Sequence, residues 1–358
     1  MRGRSRIVAL VVLCTAFVLA SVLMPASASA SGPVKVLLDG LSSPKGLALA
    51  LNGDLVVGQG AFGPPAPVLQ YDLHGRDKGE VTELTPPENV MDVALGPDAA
   101  WGLGSDQILY RAAYGDDDGP HAVADIAAYQ QTDPDPVDQE GEPTESNPYG
   151  LAVLPNGDAL VTDAAANDLL RITPEGDVTT VARFDVEEVS TDHLPPEMGE
   201  FPPTIMAEAV PTSVTVASDG WVYVGELKGF PFRPGTSRVW KVNADAEDAW
   251  CSVNEEEPDP NCESAWDGLT SIQDIYWVGQ TSTLYVYEFA EDGVGAFEAG
   301  FETGEFPPAV LLEITANKTT ELAHGQLVAP GGVVATNRGR VFVTDGLFGD
   351  GRLVAVHR

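Results

Sequence analysis

Six positions at one offset within a repeated hairpin hold most of the chemistry this chain can offer. Counting six residues on from the glycine of each hairpin turn, or its equivalent, reaches Gln59, Ser105, Asp163, Glu226, Glu288 and Asp345. Four of these six are carboxylates and the other two are polar. Carboxylates that converge repel one another unless a cation, a lysine or protonation relieves them. One reading is a site for a cation or cationic ligand held by Asp163, Glu226, Glu288 and Asp345, with Ca2+ the metal that suits hard oxygen donors. The other is that each acid caps the loop that follows it by accepting backbone N–H bonds. Acids are abundant here, 54 in 358 residues, which favours the capping reading.

Other candidates lie on the same expected face. Asn147, Tyr149, Lys45, Asp92 and Asp274 stand at or beside the starts of the first strands of the hairpins. Phe230 and Phe232 flank Pro231 in the segment "GELKGFPFRPGTSRVWKV", a loop expected to follow a strand. Two aromatics there form either a ligand platform or a plug over a channel entrance. Nucleophile elbows, zinc-protease helices, P-loops and dinucleotide fingerprints are absent from the sequence. Its five histidines are scattered. "DPDPVD" at Asp133 lacks the glycine and terminal Glu of an EF-hand loop, and Asn317-Lys318-Thr319 matches a glycosylation sequon.

The elements that position these residues are legible as repeats. "SPKGLALALNGDLVVGQG", "NPYGLAVLPNGDALVTDA", "VPTSVTVASDGWVYVGEL" and "APGGVVATNRGRVFVTDG" share one template of apolar strand, Asn/Gly/Asp-rich turn and second apolar strand. Weaker copies start at Val90 and Ser271. The aligned positions Gly46, Asp92, Gly150, Ser213, Asp274 and Gly332 are spaced by 46, 58, 63, 61 and 58 residues. Six such units of four short strands predict an all-β, six-bladed propeller over residues 31–358, a single domain. The last unit is one strand short, and "VKVLLDG" at 34–40 is unassigned, so residues 34–38 are expected to pair with 352–357 and close the ring. No stretch of helical periodicity is evident, and the acidic, Pro-rich segments 128–146, 187–204 and 245–264 read as solvated insertions.

Charge and the N-terminal segment bound the setting. The net charge of -35, from 54 acidic and 19 basic side chains, disfavours nucleic acid and anionic membrane partners. Arg2, Arg4 and Arg6, the apolar run 7–24 and the small-residue stretch 26–30 form the pattern of a secretory signal peptide over residues 1–30. A membrane anchor is the alternative for a run of that length. Cleavage after Ala28 or Ala30 leaves an extracytoplasmic chain, expected to be a monomer, whose remaining cysteines are Cys251 and Cys262. An even pair in an oxidising compartment predicts a disulfide, and the acidic loop between them suggests that it staples an insertion.

The strand-turn-strand copies, together with "VGELKGFPF" and the closing "GRVFVTDGLFGDGRLVAV", make the chain similar to the ScyD/ScyE family of secreted propellers. The "PxGLAxxxxGDLxV" hairpins are shared more widely with NHL-repeat propellers. The resemblance implies a six-bladed fold and an extracytoplasmic address. Related calcium-dependent lactonases hold their metal with Asn or Asp just before the Gly that opens an inner strand. The matching positions here are Lys45, Met91, Tyr149, Thr212, Gln273 and Gly331, so that site is not reproduced in register. The resulting expectation is a secreted, non-catalytic propeller that binds a small molecule or extracellular partner through one face. The alternatives are an extracellular, divalent-metal-dependent hydrolase or lactonase and a structural wall component.

Overall fold

The structure is a computed structural model that describes residues 33–74, 78–86, 88–116, 118–217, 220–255 and 258–357. Residues 1–30, read from the sequence as a signal peptide, lie outside the described residues, and no helix among the described residues is long and apolar enough to cross a membrane. Six small sheets follow one another along the chain, as the repeats predict. Blade 1 comprises Leu47–Leu49, Leu55–Val57, Leu69–Tyr71 and Val81–Glu83; blade 2 comprises Val90–Leu95, Ala99–Gly104, Ile108–Ala113 and His121–Asp125. Blades 3, 4 and 5 begin at Pro148–Val153, Pro211–Val216 and Ile272–Val278. Blade 6 takes Pro330–Ala335, Val341–Asp345 and Asp350–Val356 from one end of the chain and Val34–Ser42 from the other.

The sequence determines the hairpins locally. In blade 3, Asn156 Nδ2 donates to Asp158 Oδ2 (2.9 Å), while Gly157 turns the chain at φ +97°, a region open to glycine and costly for most side chains. Asn52 and Asp54 repeat the contact in blade 1. Inner strands carry a register break near their start, at Val90/Asp92, Pro148/Gly150, Pro211/Ser213, Ile272/Asp274 and Pro330/Val333. Such a bulge turns the extra residue, Met91, Tyr149, Thr212 or Gln273, out of the ladder at the ring axis.

Packing makes each blade depend on its neighbours. Leu160, Leu169 and Phe184 of blade 3 bury against Val224, Trp240 and Val242 of blade 4, and comparable clusters fill the other blade-to-blade spaces. The inner strands approach so closely that a Cβ on Gly150 would lie 2.7 Å from Thr212 O, and one on Gly332 2.6 Å from Lys45 O. The closing strand pairs antiparallel with the last one from Val34↔Val356 to Ser42↔Asp350, four residues further than the sequence suggested.

Three segments are more ordered than the sequence indicates. Residues 294–303 form a helix, Val294–Thr303, whose Val294, Phe297 and Gly300 are buried; its first turn lacks acids and its N-cap is Gly293, so the usual start signals are missing. Residues 187–207 form a hairpin of Glu187–Ser190 with Thr204–Ala207. Ala249–Cys251 adds a fifth, parallel strand to blade 3, and Cys262 opens the outer strand of blade 4. The disulfide Cys251–Cys262 therefore joins two blades inside their shared core, both cysteines being buried, instead of stapling an exposed insertion.

Two outcomes follow from this architecture. Deleting residues 31–42 opens the ring, so every probe should report one cooperative loss of stability in a denaturant titration; unchanged melting would show that the strand is dispensable. Replacing both cysteines by alanine should cost about 3 kcal/mol, the loop-closure value for so short a loop, with native circular dichroism retained. A change below about 1 kcal/mol would mean that blade packing alone holds the two strands together.

Candidate functional site

The second strands end on one face of the ring, and there the four carboxylates of the repeated register lie. Asp163, Glu226, Glu288 and Asp345 are all buried. Each is satisfied by donors of its own neighbourhood. Asp163 accepts from Ser146 Oγ (2.7 Å) and from the backbone N–H groups of Asn147 (2.7 Å), Ala165 and Ala166 (3.2 Å each). Asp345 receives both Nε and Nη2 of Arg352, at 2.8 and 2.6 Å. Glu288 accepts the Thr270 backbone N–H at 2.8 Å. Of the two polar residues of the register, Gln59 likewise accepts, through Oε1 from Ser42 N (2.9 Å), whereas Ser105 Oγ donates to Ala61 O (3.3 Å).

Glu226 anchors the most extended of these arrangements. Lys228 Nζ lies 3.0 Å from Glu226 Oε1 and 3.1 Å from Glu187 Oε2. Arg238 Nε reaches Glu226 Oε1 at 3.2 Å and its Nη2 pairs with Glu187, while Trp240 Nε1 donates to Glu226 Oε2 at 2.9 Å. Two cations thus face two carboxylates. Burial pushes Glu187 up, but Lys228 and Arg238 outweigh it and hold the carboxyl below its usual range. The hairpin 187–207, read from the sequence as a solvated insertion, is tied to the ring by this network.

Blade 3 solves the same place differently. Where blade 6 sets Arg352 opposite Asp345, blade 3 sets a second acid, Asp168, opposite Asp163. Gln130 Nε2 donates to Asp168 Oδ2 at 2.9 Å and lies 3.4 Å from Asp163 Oδ2. Burial, then the charge of Asp163, raises Asp168 well above the usual carboxylate range. Beside it Arg183 pairs with Asp133, and Asn167 Nδ2 donates to Asp135 (2.9 Å), so the acidic insertion is likewise built into the ring.

The axis holds a second group, made by the first strands. Lys45 Nζ donates to Tyr149 O (2.7 Å), lies 3.7 Å from Asp92 Oδ2 and sits 4.3 Å from the centre of the Tyr149 ring. Tyr149 OH donates to Gln273 Oε1 across the axis at 3.0 Å, and Gln273 Nε2 has no hydrogen-bond partner among the described residues. Asp92 and Asp274 latch blade to blade: the N–H of Leu151 donates to Asp92 (2.9 Å) and that of Val333 to Asp274 (2.7 Å). Burial, with the charge of Asp92 added, pushes Asp274 up to about 7, while Lys45 opposes.

Above this network the mouth is roofed by aromatics. Phe62 contacts Tyr149 (6.4 Å between ring centres) and Phe348 (5.3 Å), and Phe289, Phe297, Phe301 and Phe306 of blade 5 complete the cluster. Phe232 packs against it, whereas Phe230 meets Phe201 of the hairpin in a tilted contact, 5.5 Å between ring centres. One residue of the sequence pair is therefore plug and the other is rim. Asn147 takes part through its backbone, by the N–H to Asp163 and by its carbonyl, which accepts the Ala164 N–H (3.0 Å).

The sequence-predicted residues are thus not brought together as a metal centre. Among the described residues no three His, Cys, Asp or Glu side chains form a group that could hold an ion. The lone pairs of Asp163 and Asp345 are already occupied by internal donors, and those of Glu226 by two cations and an indole N–H. Ca2+ does not fit that set. Sequence reasoning missed the partners Lys228, Arg238, Arg352 and Gln130. A signal existed for two of them, since Arg238 and Arg352 stand on the third strand opposite the end of the second.

No protein-family model matches the chain, and no curated protein matches it in sequence. Among solved structures it is similar to a glucose dehydrogenase from Thermus thermophilus, at 15% identity and a TM-score of 0.52 over 90% of this chain and 99% of that one. It is also similar to an aldose sugar dehydrogenase from Streptomyces coelicolor in its PQQ-bound form, at 17% identity and a TM-score of 0.50 over 92% and 99%. Identities this low carry the fold alone, and the chain is a six-bladed β-propeller.

Proposed function

We propose that this is a secreted, ScyD/ScyE-like propeller that binds a cationic ligand or partner through its loop face without catalysing a reaction. One observation carries the reading: three of the four carboxylates of the repeated register, Asp163, Glu226 and Asp345, have both oxygens engaged by internal donors and are not presented to a substrate or metal. Two further observations support it. The axial network lies beneath the aromatic roof, leaving the rim around Phe230, Met206 and the acidic insertion as the accessible part of that face. The buried disulfide suits an oxidising compartment, as does the signal pattern at 1–30. The hydrolase alternative keeps one argument, the raised Asp274 beside Asp92 and Lys45.

Melting the protein in calcium and in sodium at matched ionic strength separates the readings, because salt alone relieves the self-repulsion of so acidic a chain. Equal melting temperatures are expected. Glu226→Gln should cost about 3 kcal/mol in either salt, since it leaves two buried cations sharing one carboxylate. A calcium-specific rise that Glu226→Gln or Asp345→Asn abolishes would overturn the proposal.

The buried acids also set the pH response. Burial is the main cause that pushes Asp274, Glu288 and Glu298 up to about 7. Each binds its proton more tightly folded than unfolded. Its contribution is therefore complete below the usual carboxylate range and is lost as the pH rises through about 7. Glu187 and Asp133 are shifted down, and their contribution is lost in stronger acid. Thermal unfolding followed from pH 3 to 8 should show greatest stability near pH 4–5, falling towards neutrality. A maximum at or above pH 7 would contradict this balance of groups.

A further inference from the structure

The opposite face of blade 6 carries a feature that the acidic rim does not explain. A cavity of about 160 Å³ lies between the turn joining its first two strands and the end of its third, lined by Arg338, Arg340, Phe342, Val341, Val356 and His357 among others. Arg111, Arg171, Arg183, Arg233, Arg238 and Arg352 each pair with a carboxylate. Arg338 and Arg340 have no such partner among the described residues, and both line this one cavity. In a chain with 54 acidic and 19 basic side chains, two unpaired guanidiniums two positions apart make a local inversion of sign.

The geometry is that of an amphiphilic receptor. Arg340 lies over the Phe342 ring, 5.0 Å from its centre, a contact that orients the guanidinium. Phe342 and Ala355, cross-strand partners on the face that also carries Arg340, are buried and give the cavity an apolar floor, while Arg338, Arg340 and His357 are exposed at its edge. A guanidinium fork matches the two oxygens of a carboxylate, and a cavity of about 150 Å³ is large enough for a benzene ring. We propose that this cavity binds a small organic carboxylate, the oxygens held by Arg338 and Arg340 and the apolar body seated on Phe342 and Ala355. The site is on the other face from the rim assigned above, and its test is independent of that assignment.

The probe is benzoate, titrated into the exported protein at about 0.15 M ionic strength, where charges beyond roughly 8 Å are screened, and followed by calorimetry and NMR. Saturable binding is expected, with the affinity at least tenfold lower in the Arg338→Ala/Arg340→Ala variant, whose substitutions lie in an exposed turn and should leave the melting curve unchanged. Benzyl alcohol, which keeps the ring and lacks the charge, and sulfate, which keeps the charge and lacks the ring, should both bind at least tenfold more weakly than benzoate. The proposal is overturned if benzoate does not saturate or if the double variant binds it equally well. Sulfate binding as tight as benzoate would likewise overturn it, leaving an adventitious ion only.

Discussion

A blade of four strands has two apolar faces and an inner edge, and none of these can be left in water or unpaired. Everything else in this protein depends on that constraint. The faces are covered by the neighbouring blades, which is why Phe184, Trp240 and Val224 belong to one cluster although they come from two sheets. The inner edges are handled residue by residue. Asp92 and Asp274 accept N–H groups from the next blade, while glycines at 150 and 332 allow approaches that a side chain would block. In a six-membered ring these two acids stand three blades apart, so the axis repeats its solution once per half-turn. The strand at 34–42 closes this ring by pairing with the last strand of the chain.

The same economy explains the acidic register. A strand end that faces loops must satisfy the loop's N–H groups, and an acid at that position does so from one place. Burying it then requires a counter-charge or a proton. Blade 6 uses Arg352, blade 4 uses Arg238 with Lys228, and blade 3 uses Gln130 and a raised Asp168. The acid caps backbone N–H groups in blade 3, through Asp163, and in blade 5, through Glu288, whereas Glu226 and Asp345 are held by side-chain cations.

The architecture was legible because its signals are local: Asn-Gly-Asp turns, period-two strands and an unassigned strand before the first repeat. The candidate site was legible only in part. The register located the ends of the second strands correctly, but a register states where a residue sits along a strand and says nothing of what approaches it from another blade. Lys228 is a case in point, since its cation meets Glu187, forty-one residues away, only after the hairpin folds back. The helix at 294–303 was missed for a different reason, because Gly293 and an acid-free first turn removed the usual start signals. The placement of the disulfide in a core could not be read from an acidic loop, because Cys251 joins blade 3 through a parallel strand that no turn announces.

The closing strand also gives the ring a direction of mechanical weakness. Val34 and Val356 are partners at one end of an antiparallel pair, and just beyond them His357 N donates to Pro33 O at 2.6 Å. Tension applied between these two points loads the ladder at its end, where bonds part singly, as a zipper opens. Tension between residue 33 and a blade across the disc would instead load the whole ladder in shear, with its bonds resisting together. How such a ring is held would therefore decide the force at which it opens, independently of its thermodynamic stability.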